Sequence, residues 1–231
     1  WPPLAPDGTA ILPPGVPCGP QLPGINAAVA IGADGTLFAV SHDEATWQYS
    51  YVIAARPDLT PIWATSLRGT VNDGFFVGRY LIDGQRDPAF ATTGFTRAGD
   101  GFGYGVTIDG AGRIVIAGED NAGGRVVRLL ENGMLDNTFG TSGAVGLLGT
   151  AIRDVVVQPN GKLVVVGFEG TRAIVMRLLE NGSVDASFAT GGKLVVPGGA
   201  ELSAVTVVGD RLLAVGYADG SVTSPLVVRI E

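Results

Sequence analysis

Gly124-Arg125-Val126-Val127-Arg128-Leu129-Leu130-Glu131-Asn132-Gly133-Met134-Leu135-Asp136-Asn137-Thr138-Phe139 returns as Thr171-Arg172-Ala173-Ile174-Val175-Met176-Arg177-Leu178-Leu179-Glu180-Asn181-Gly182-Ser183-Val184-Asp185-Ala186-Ser187-Phe188. Asn132 and Asn181, Gly133 and Gly182, Asp136 and Asp185, and Phe139 and Phe188 are each 49 residues apart. A fainter copy one period upstream carries Arg79, Gly84, Asp87 and Phe90 at the matching positions. A fixed period of this length means an array of like supersecondary units, none of which can bury its apolar side alone.

Outward from this stretch, short apolar runs alternate with turn signals. Gly105–Ile108, a turn at Asp109-Gly110-Ala111-Gly112 and the run 113–118 recur as 154–157, Gln158-Pro159-Asn160-Gly161 and 162–167. A further copy occupies 204–216, and an earlier one turns at Asp34-Gly35. Runs rich in β-branched residues, bounded by Asn-Gly or Asp-Gly, read as hairpins because those residues tolerate the positive φ of tight turns. The clearest unit holds strands near 152–157, 162–168, 172–179 and 192–196. No helical stripe competes, since the longest candidate is cut by Gly133.

Four antiparallel strands per repeat predict an all-β chain, a β-propeller of four-stranded antiparallel blades. About five blades are expected, one or more of them incomplete. A proline-rich leader, residues 1–24 with eight of the 14 prolines, precedes units at roughly 25–68, 75–98 (partial), 102–147, 152–196 and 201–231. Thr36 and Arg113 are homologous but 77 apart, 49 plus 28, so the array slips by half a unit there. The last unit supplies three strands, and Thr9–Leu12 is the one leader stretch able to complete it. An open array is expected to self-associate through its unpaired faces.

Composition narrows the function. Apolar residues make up 46% and charged residues 16%, which is a folded rather than a disordered balance. A net charge of −7, with no basic cluster, argues against a nucleic-acid partner. No run of 18 apolar residues offers a membrane span. Trp1-Pro2-Pro3-Leu4 has neither a basic opening nor an apolar stretch, so no signal peptide is expected. Cys18 is the single cysteine, in a loop-like leader, and His42 the single histidine, so no intrachain disulfide, zinc site or Cys–His pair is expected, and Cys18 reads as an incidental thiol with an intermolecular or reactive one as the alternative. Ser41-His42-Asp43-Glu44 brings triad residue types together, but neighbours along a strand point to opposite faces and cannot line up as a triad. No catalytic residue, metal or cofactor is assigned.

The motif 154–167, followed by Arg177-Leu178 and Asn181 through Gly192, resembles the delta-sixty repeat of large secreted or surface bacterial proteins, over residues 75–231. That resemblance implies a propeller without general enzymatic activity, in a secreted or cell-surface setting. Residues 1–74, through 13–20, Ala33-Asp34-Gly35-Thr36-Leu37 and 57–68, resemble bacterial propellers of the pyrroloquinoline-quinone-like class, often non-catalytic.

Three sets of residues are singled out. Gly-x-x-Asp-x-x-Phe (Gly84/Asp87/Phe90, Gly133/Asp136/Phe139, Gly182/Asp185/Phe188) reads as turn scaffolding, with Gly at positive φ, Asp on nearby N–H groups and Phe between blades. One Asp per unit does not supply the converging oxygens of a calcium site. Arg79, Arg128 and Arg177 precede Asp87, Asp136 and Asp185 by eight residues, and Arg229 falls three residues late. If Asn132-Gly133 and Asn181-Gly182 are two-residue turns, Arg and Asp stand diagonally opposite and can pair. The rival reading is a ring of arginines forming an anion site in a central channel. Trp47, Tyr49 and Tyr51 alternate along one strand face, and with Trp63 they belong to a region, 47–80, holding seven of the 17 aromatics. Packing between blades explains them simply; an exposed face binding a glycan or peptide is the alternative. The expected function is a non-enzymatic scaffold or interaction module whose partner is a protein or glycan. An enzyme would instead need polar groups converging at a propeller mouth.

Overall fold

Ile114-Val115-Ile116-Ala117 is wholly buried along its length, which only a strand covered on both faces achieves. The computed structural model describes residues 25–31, 37–43, 49–55, 61–68, 75–81, 87–218 and 224–230, with side chains for 77–79, 81, 87–218 and 224–230. Among these residues there are strands and turns and no helix.

The first sheet joins β1 (Ile25–Ile31) and β2 (Leu37–Asp43) to β5 (Phe75–Tyr80) and β6 (Phe95–Gly99), in that order. Between them β3 (Tyr49–Ala55) and β4 (Pro61–Arg68) pair only with each other, as a two-stranded ribbon. The second sheet is β7 (Phe102–Ile108), β8 (Ile114–Asp120), β9 (Gly123–Leu129) and β10 (Ala144–Leu148). The third is β11 (Thr150–Val157), β12 (Leu163–Glu169), β13 (Arg172–Leu178) and β14 (Lys193–Val195). The fourth has three strands, β15 (Gly199–Val208), β16 (Arg211–Ala218) and β17 (Pro225–Ile230). All pairing between these strands is antiparallel.

This pairing corrects the division at residues 25–68 and 75–98. Leu37 pairs with Tyr80 as Ile114 pairs with Leu129 and Leu163 with Leu178, so both segments build one sheet. The extra 28 residues are an insertion carrying the ribbon, rather than half of a missing unit. Chain spacing counts residues and cannot distinguish an insertion from an omission; hydrogen-bonded register does. The two family resemblances therefore meet inside a single sheet. The same register resolves the late arginine. Leu213 pairs with Arg229 as Val164 pairs with Arg177, and a longer β16–β17 connection supplies the three-residue offset.

Successive sheets pack face to face. Val77, Phe90 and Ala98 of the first sheet form a core with Ile114, Ile116, Val127 and Leu129 of the second. Val115, Ala117, Val126 and Phe139 do so with Leu163, Val165, Ile174 and Leu178 of the third. Val164, Val166 and Val175 then meet Leu202, Leu212, Ala214 and Ile230 of the fourth. Alternate residues of β8 and β12 thus serve opposite cores, which is why their runs are apolar without interruption. β1, β7, β11 and β15 are the first strands of their sheets and lie against one another in that order.

Candidate functional site

The repeated arginine, aspartate and phenylalanine come together at one end of the strands. The turn between β9 and Asp136 has three residues, Glu131-Asn132-Gly133, because Leu130 N–H donates to Met134 O at 2.8 Å and Gly133 N–H to Leu130 O at 2.9 Å. Gly133 closes it at φ 85°, the left-handed geometry that a three-residue hairpin loop needs. A two-residue turn would set Arg128 one residue out of register with Asp136, on the opposite face of the hairpin; the third residue places them directly opposite, with Asp136 N–H donating to Arg128 O at 3.0 Å.

Arg128 Nε donates to Asp136 Oδ2 at 2.8 Å, and both side chains are almost fully buried, the residues only 2% and 3% exposed. The guanidinium lies over the Phe139 ring, 4.6 Å from its centroid, and its Nη1 donates to the Glu180 carbonyl of the next sheet. Arg177 repeats this with Asp185 at 2.7 Å and Phe188 at 4.6 Å. Arg79 reaches Asp87 at 2.6 Å through Nη2 and the Glu131 carbonyl at 2.8 Å. The first two motifs in chain order are therefore clasps to the following sheet, and the third sets Phe188 into the core shared with the fourth. Gly140 N–H donates to Asn181 O, and Ala91 N–H to Asn132 O, both at 2.9 Å. A Cβ on Gly182 would lie 3.0 Å from Phe139 Cε2, and one on Gly133 2.9 Å from Phe90 Cε2, so each ring needs the glycine of the next turn. Arg79, Arg128 and Arg177 are each paired with the aspartate of their own motif, which leaves none of these three for an anion-binding ring.

Two carboxylates in these motifs titrate low. Burial pushes Asp136 up, but the Thr138 hydroxyl and N–H and the Arg128 guanidinium outweigh it and hold the carboxyl below its ordinary range. For Asp185 the Lys162 ammonium is the largest cause, with the Ser187 hydroxyl next, against a smaller cost of burial. A depressed carboxyl pKa gives stability that is complete above the unfolded value, about 4, and is lost as pH falls through the folded one. The melting temperature is expected to fall on acidification below about pH 4, and Asp136→Asn is expected to flatten that slope in melts followed by circular dichroism.

A second assembly occupies the opposite end of the strands. β7, β11 and β15 each carry a bulge, between Gly103 and Gly105, Ile152 and Asp154, and Leu202 and Ala204. The extra residues are Tyr104, Arg153 and Ser203. Facing each bulge is a glycine, Gly118, Gly167 or Gly216, where a Cβ would lie 1.9 Å from a carbonyl oxygen of the bulged strand. Register puts Ser41 at that position in the first sheet, where β1 and β2 pair without a bulge. Backbone cannot swing aside as a side-chain tip can, so Gly167→Ala is expected to cost about 3 kcal/mol, read as a drop in melting temperature.

The bulges turn Tyr104 and Arg153 into one cluster with Glu119, Phe168 and Glu201. Arg153 donates from Nε to Glu201 at 3.1 Å and from Nη1 to Glu119 at 3.2 Å. Its guanidinium is stacked between Tyr104 and Phe168, 4.5 and 5.0 Å from their ring centroids. Tyr104 OH donates to Glu119 at 2.8 Å. Burial opposes the charge on Arg153, but Glu119, Tyr104 and Glu201 raise its pKa overall. Next to it, Asp154 accepts from Val155 N–H and from Val205 N–H of the next sheet, both at 2.8 Å. Burial pushes this carboxyl above its ordinary range, the two N–H donors only partly offsetting it. Its room comes from Gly105, where a Cβ would sit 2.7 Å from Asp154 Oδ1.

By its sequence Glu119-Asp120-Asn121 reads as a solvated polar loop, whereas Glu119 and Asp120 end β8 and Glu119 pairs with Arg153; the other members of the cluster are not singled out by the repeat motif. Its signal was divergence inside the repeat: Tyr104 and Arg153, and Glu119 and Phe168, are 49 apart yet unlike in chemistry. Of the aromatics offered as an alternative binding face, Trp47 lies outside the described residues; Tyr49 and Tyr51 fall on β3 and Trp63 on β4, with side chains outside the description, as are Gly84 and Cys18. Ser41, His42 and Asp43 lie on β2, in the same condition. Among the described residues no three His, Cys, Asp or Glu side chains gather as a metal site. No helix there is long and apolar enough to cross a membrane.

A family model described as a domain of unknown function (DUF5122) beta-propeller matches residues 112–139 and 158–188, two segments that each end on a motif phenylalanine. The fold is a β-propeller. The chain is similar to a protein of unknown function from Bacteroides caccae, with a TM-score of 0.56 and 12% identity over 90% of this chain and 77% of that one. It also aligns with an alpha-L-arabinofuranosidase from Clostridium thermocellum, with a TM-score of 0.46 and 12% identity over 90% and 68% of the two chains. No curated protein matches it in sequence.

Proposed function

We propose that this propeller is a non-enzymatic interaction module that presents a rigid polar and aromatic rim to a protein or glycan. The observation carrying this reading is the cluster around Arg153, assembled from three sheets and stacked on two half-buried rings, with each charge already met by an opposite one. Such a surface is preorganised for contact. The reading takes residues 75–231 as a delta-sixty array in an exported or cell-surface setting. Glycan and peptide arrays probed with the chain are expected to give binding that Tyr104→Ala with Phe168→Ala weakens about tenfold, as the loss of anchoring rings does. Turnover of a bound compound that disappears in Glu119→Gln or Asp154→Asn would replace this reading with an enzymatic one.

One observation favours a second contact surface. The β3–β4 ribbon is an insertion outside the sheet ladder, and insertions in repeat proteins gather on binding faces. A glycan or peptide held there by Trp47, Tyr49, Tyr51 and Trp63 should change tryptophan emission, and Trp63→Ala should remove the change.

A further inference from the structure

The second, third and fourth sheets each send one extra residue toward the cluster around Arg153, and the last of these is left without a partner. Tyr104, Arg153 and Ser203 sit in successive bulges of β7, β11 and β15, each beside a glycine of the neighbouring strand. Equivalent bulges re-aim their side chains in the same way, so the three form a row across the sheets. Arg153 stands over the Tyr104 ring and donates to Glu119, both of the preceding sheet. The same step along the row carries Ser203 toward Arg153 and Phe168. Its hydroxyl oxygen is buried and meets no hydrogen-bond partner. A hydroxyl held in that state is costly unless something outside the chain satisfies it.

Two charged groups of the cluster keep hydrogen-bonding capacity in reserve. Arg153 donates from Nε to Glu201 and from Nη1 to Glu119, while its Nη2 donates to nothing among the described residues. Glu201 accepts at Oε1, and its Oε2 accepts nothing there. Neither side chain is sealed in, the two being 21% and 24% exposed. A donor, an acceptor and a hydroxyl able to act as either thus belong to one rim, with the half-buried Phe168 ring against the guanidinium.

Charge selects what can use them. Glu119 and Glu201 outnumber Arg153, so an anion meets net repulsion, and a cation must approach the guanidinium. A neutral group with adjacent hydroxyls, each both donor and acceptor, answers all three positions and offers C–H bonds to the ring. A peptide amide brings one donor and one acceptor, which leaves a position unmet.

We propose that Arg153, Glu201 and Ser203 bind adjacent hydroxyls of a neutral sugar residue. This deepens the interaction-module reading and rests on it, choosing a glycan over a protein as the ligand of this rim.

The test uses the methyl glycosides of glucose, galactose and mannose, titrated against the full chain and followed by saturation-transfer NMR. N-acetylglycinamide and glucuronate serve as the peptide-like and anionic comparisons. At least one neutral glycoside is expected to bind, about tenfold or more tightly than either comparison compound. Ser203→Ala should weaken that binding about tenfold without lowering the melting temperature, because the hydroxyl it removes supports nothing in the fold. Glu201→Gln should weaken it similarly. One monodeoxy analogue of the bound glycoside should lose affinity for the parent chain yet lose no more in Ser203→Ala, since both changes remove the same hydrogen bond. Failure of all three glycosides to bind overturns the proposal, as does tighter binding of N-acetylglycinamide. Binding indifferent to Ser203→Ala, or a melting temperature lowered by it, overturns it as well. Peptide-array binding without any glycoside bound would sink the sugar site and leave the interaction-module reading standing. Turnover of a bound glycoside would do the reverse, so the two failures are separable.

Discussion

Arg128→Ala is expected to destabilise the propeller by about 4 kcal/mol, because removing one partner of a buried ion pair leaves the other charge uncompensated. Asp136 would keep its Thr138 contacts, at 2.6 Å from the hydroxyl and 3.0 Å from the N–H, and Arg113 Nη1 at 3.9 Å, beyond hydrogen-bond reach, but would lose its hydrogen-bonded guanidinium in a site only 3% exposed. The Glu180 carbonyl of the next sheet would lose a donor, and the Phe139 ring its cation. For a chain of this size the loss corresponds to roughly 10 °C in melting temperature. Adding Asp136→Asn to Arg128→Ala should recover part of it, since the stranded charge is then gone. A double variant melting lower than Arg128→Ala by the full cost of Asp136→Asn alone would show that the two residues do not act as a pair.

Phe139→Ala is expected to cost about as much, 3–5 kcal/mol on the scale of large-to-small core changes. The ring is fully buried in the core between the second and third sheets. It also supports Arg128 from one side and rests on Gly182 from the other. The cavity would open where two sheets meet, so packing between them should loosen before pairing within either. Hydrogen exchange is expected to accelerate first at Gly140 N–H, which donates across that junction to Asn181 O. Exchange rising evenly over β8 and β9 instead would place the role of the ring within its own sheet.

The two variants probe what was most legible in the sequence. Arg128, Asp136 and Phe139 recur at fixed spacing because each makes the same local geometry in each copy, and a period records local geometry well. The strand stretches near 152–157, 162–168, 172–179 and 192–196 lie within a few residues of β11 to β14 for the same reason. The three-residue turn was misjudged because Asn-Gly suits a two-residue turn equally, and only the Leu130–Met134 pairing separates them. The first sheet was misdivided because 28 inserted residues keep the alternation of strands intact while moving its phase.

The cluster around Arg153 was less legible still. Its members come from three sheets and occupy different phases of the repeat, so no spacing rule unites them. A bulge opposite Gly167 brings them together, and a glycine at one strand position carries many meanings in sequence alone.

By itself the sequence determined the period, the strand content and the residues of each clasp, since these follow from propensity and contacts within one 49-residue unit. The tertiary structure alone decided which strands share a sheet across the insertion and how the bulges aim Tyr104 and Arg153. Those are settled by hydrogen bonds and packing between segments whose distance along the chain says nothing of their distance in space.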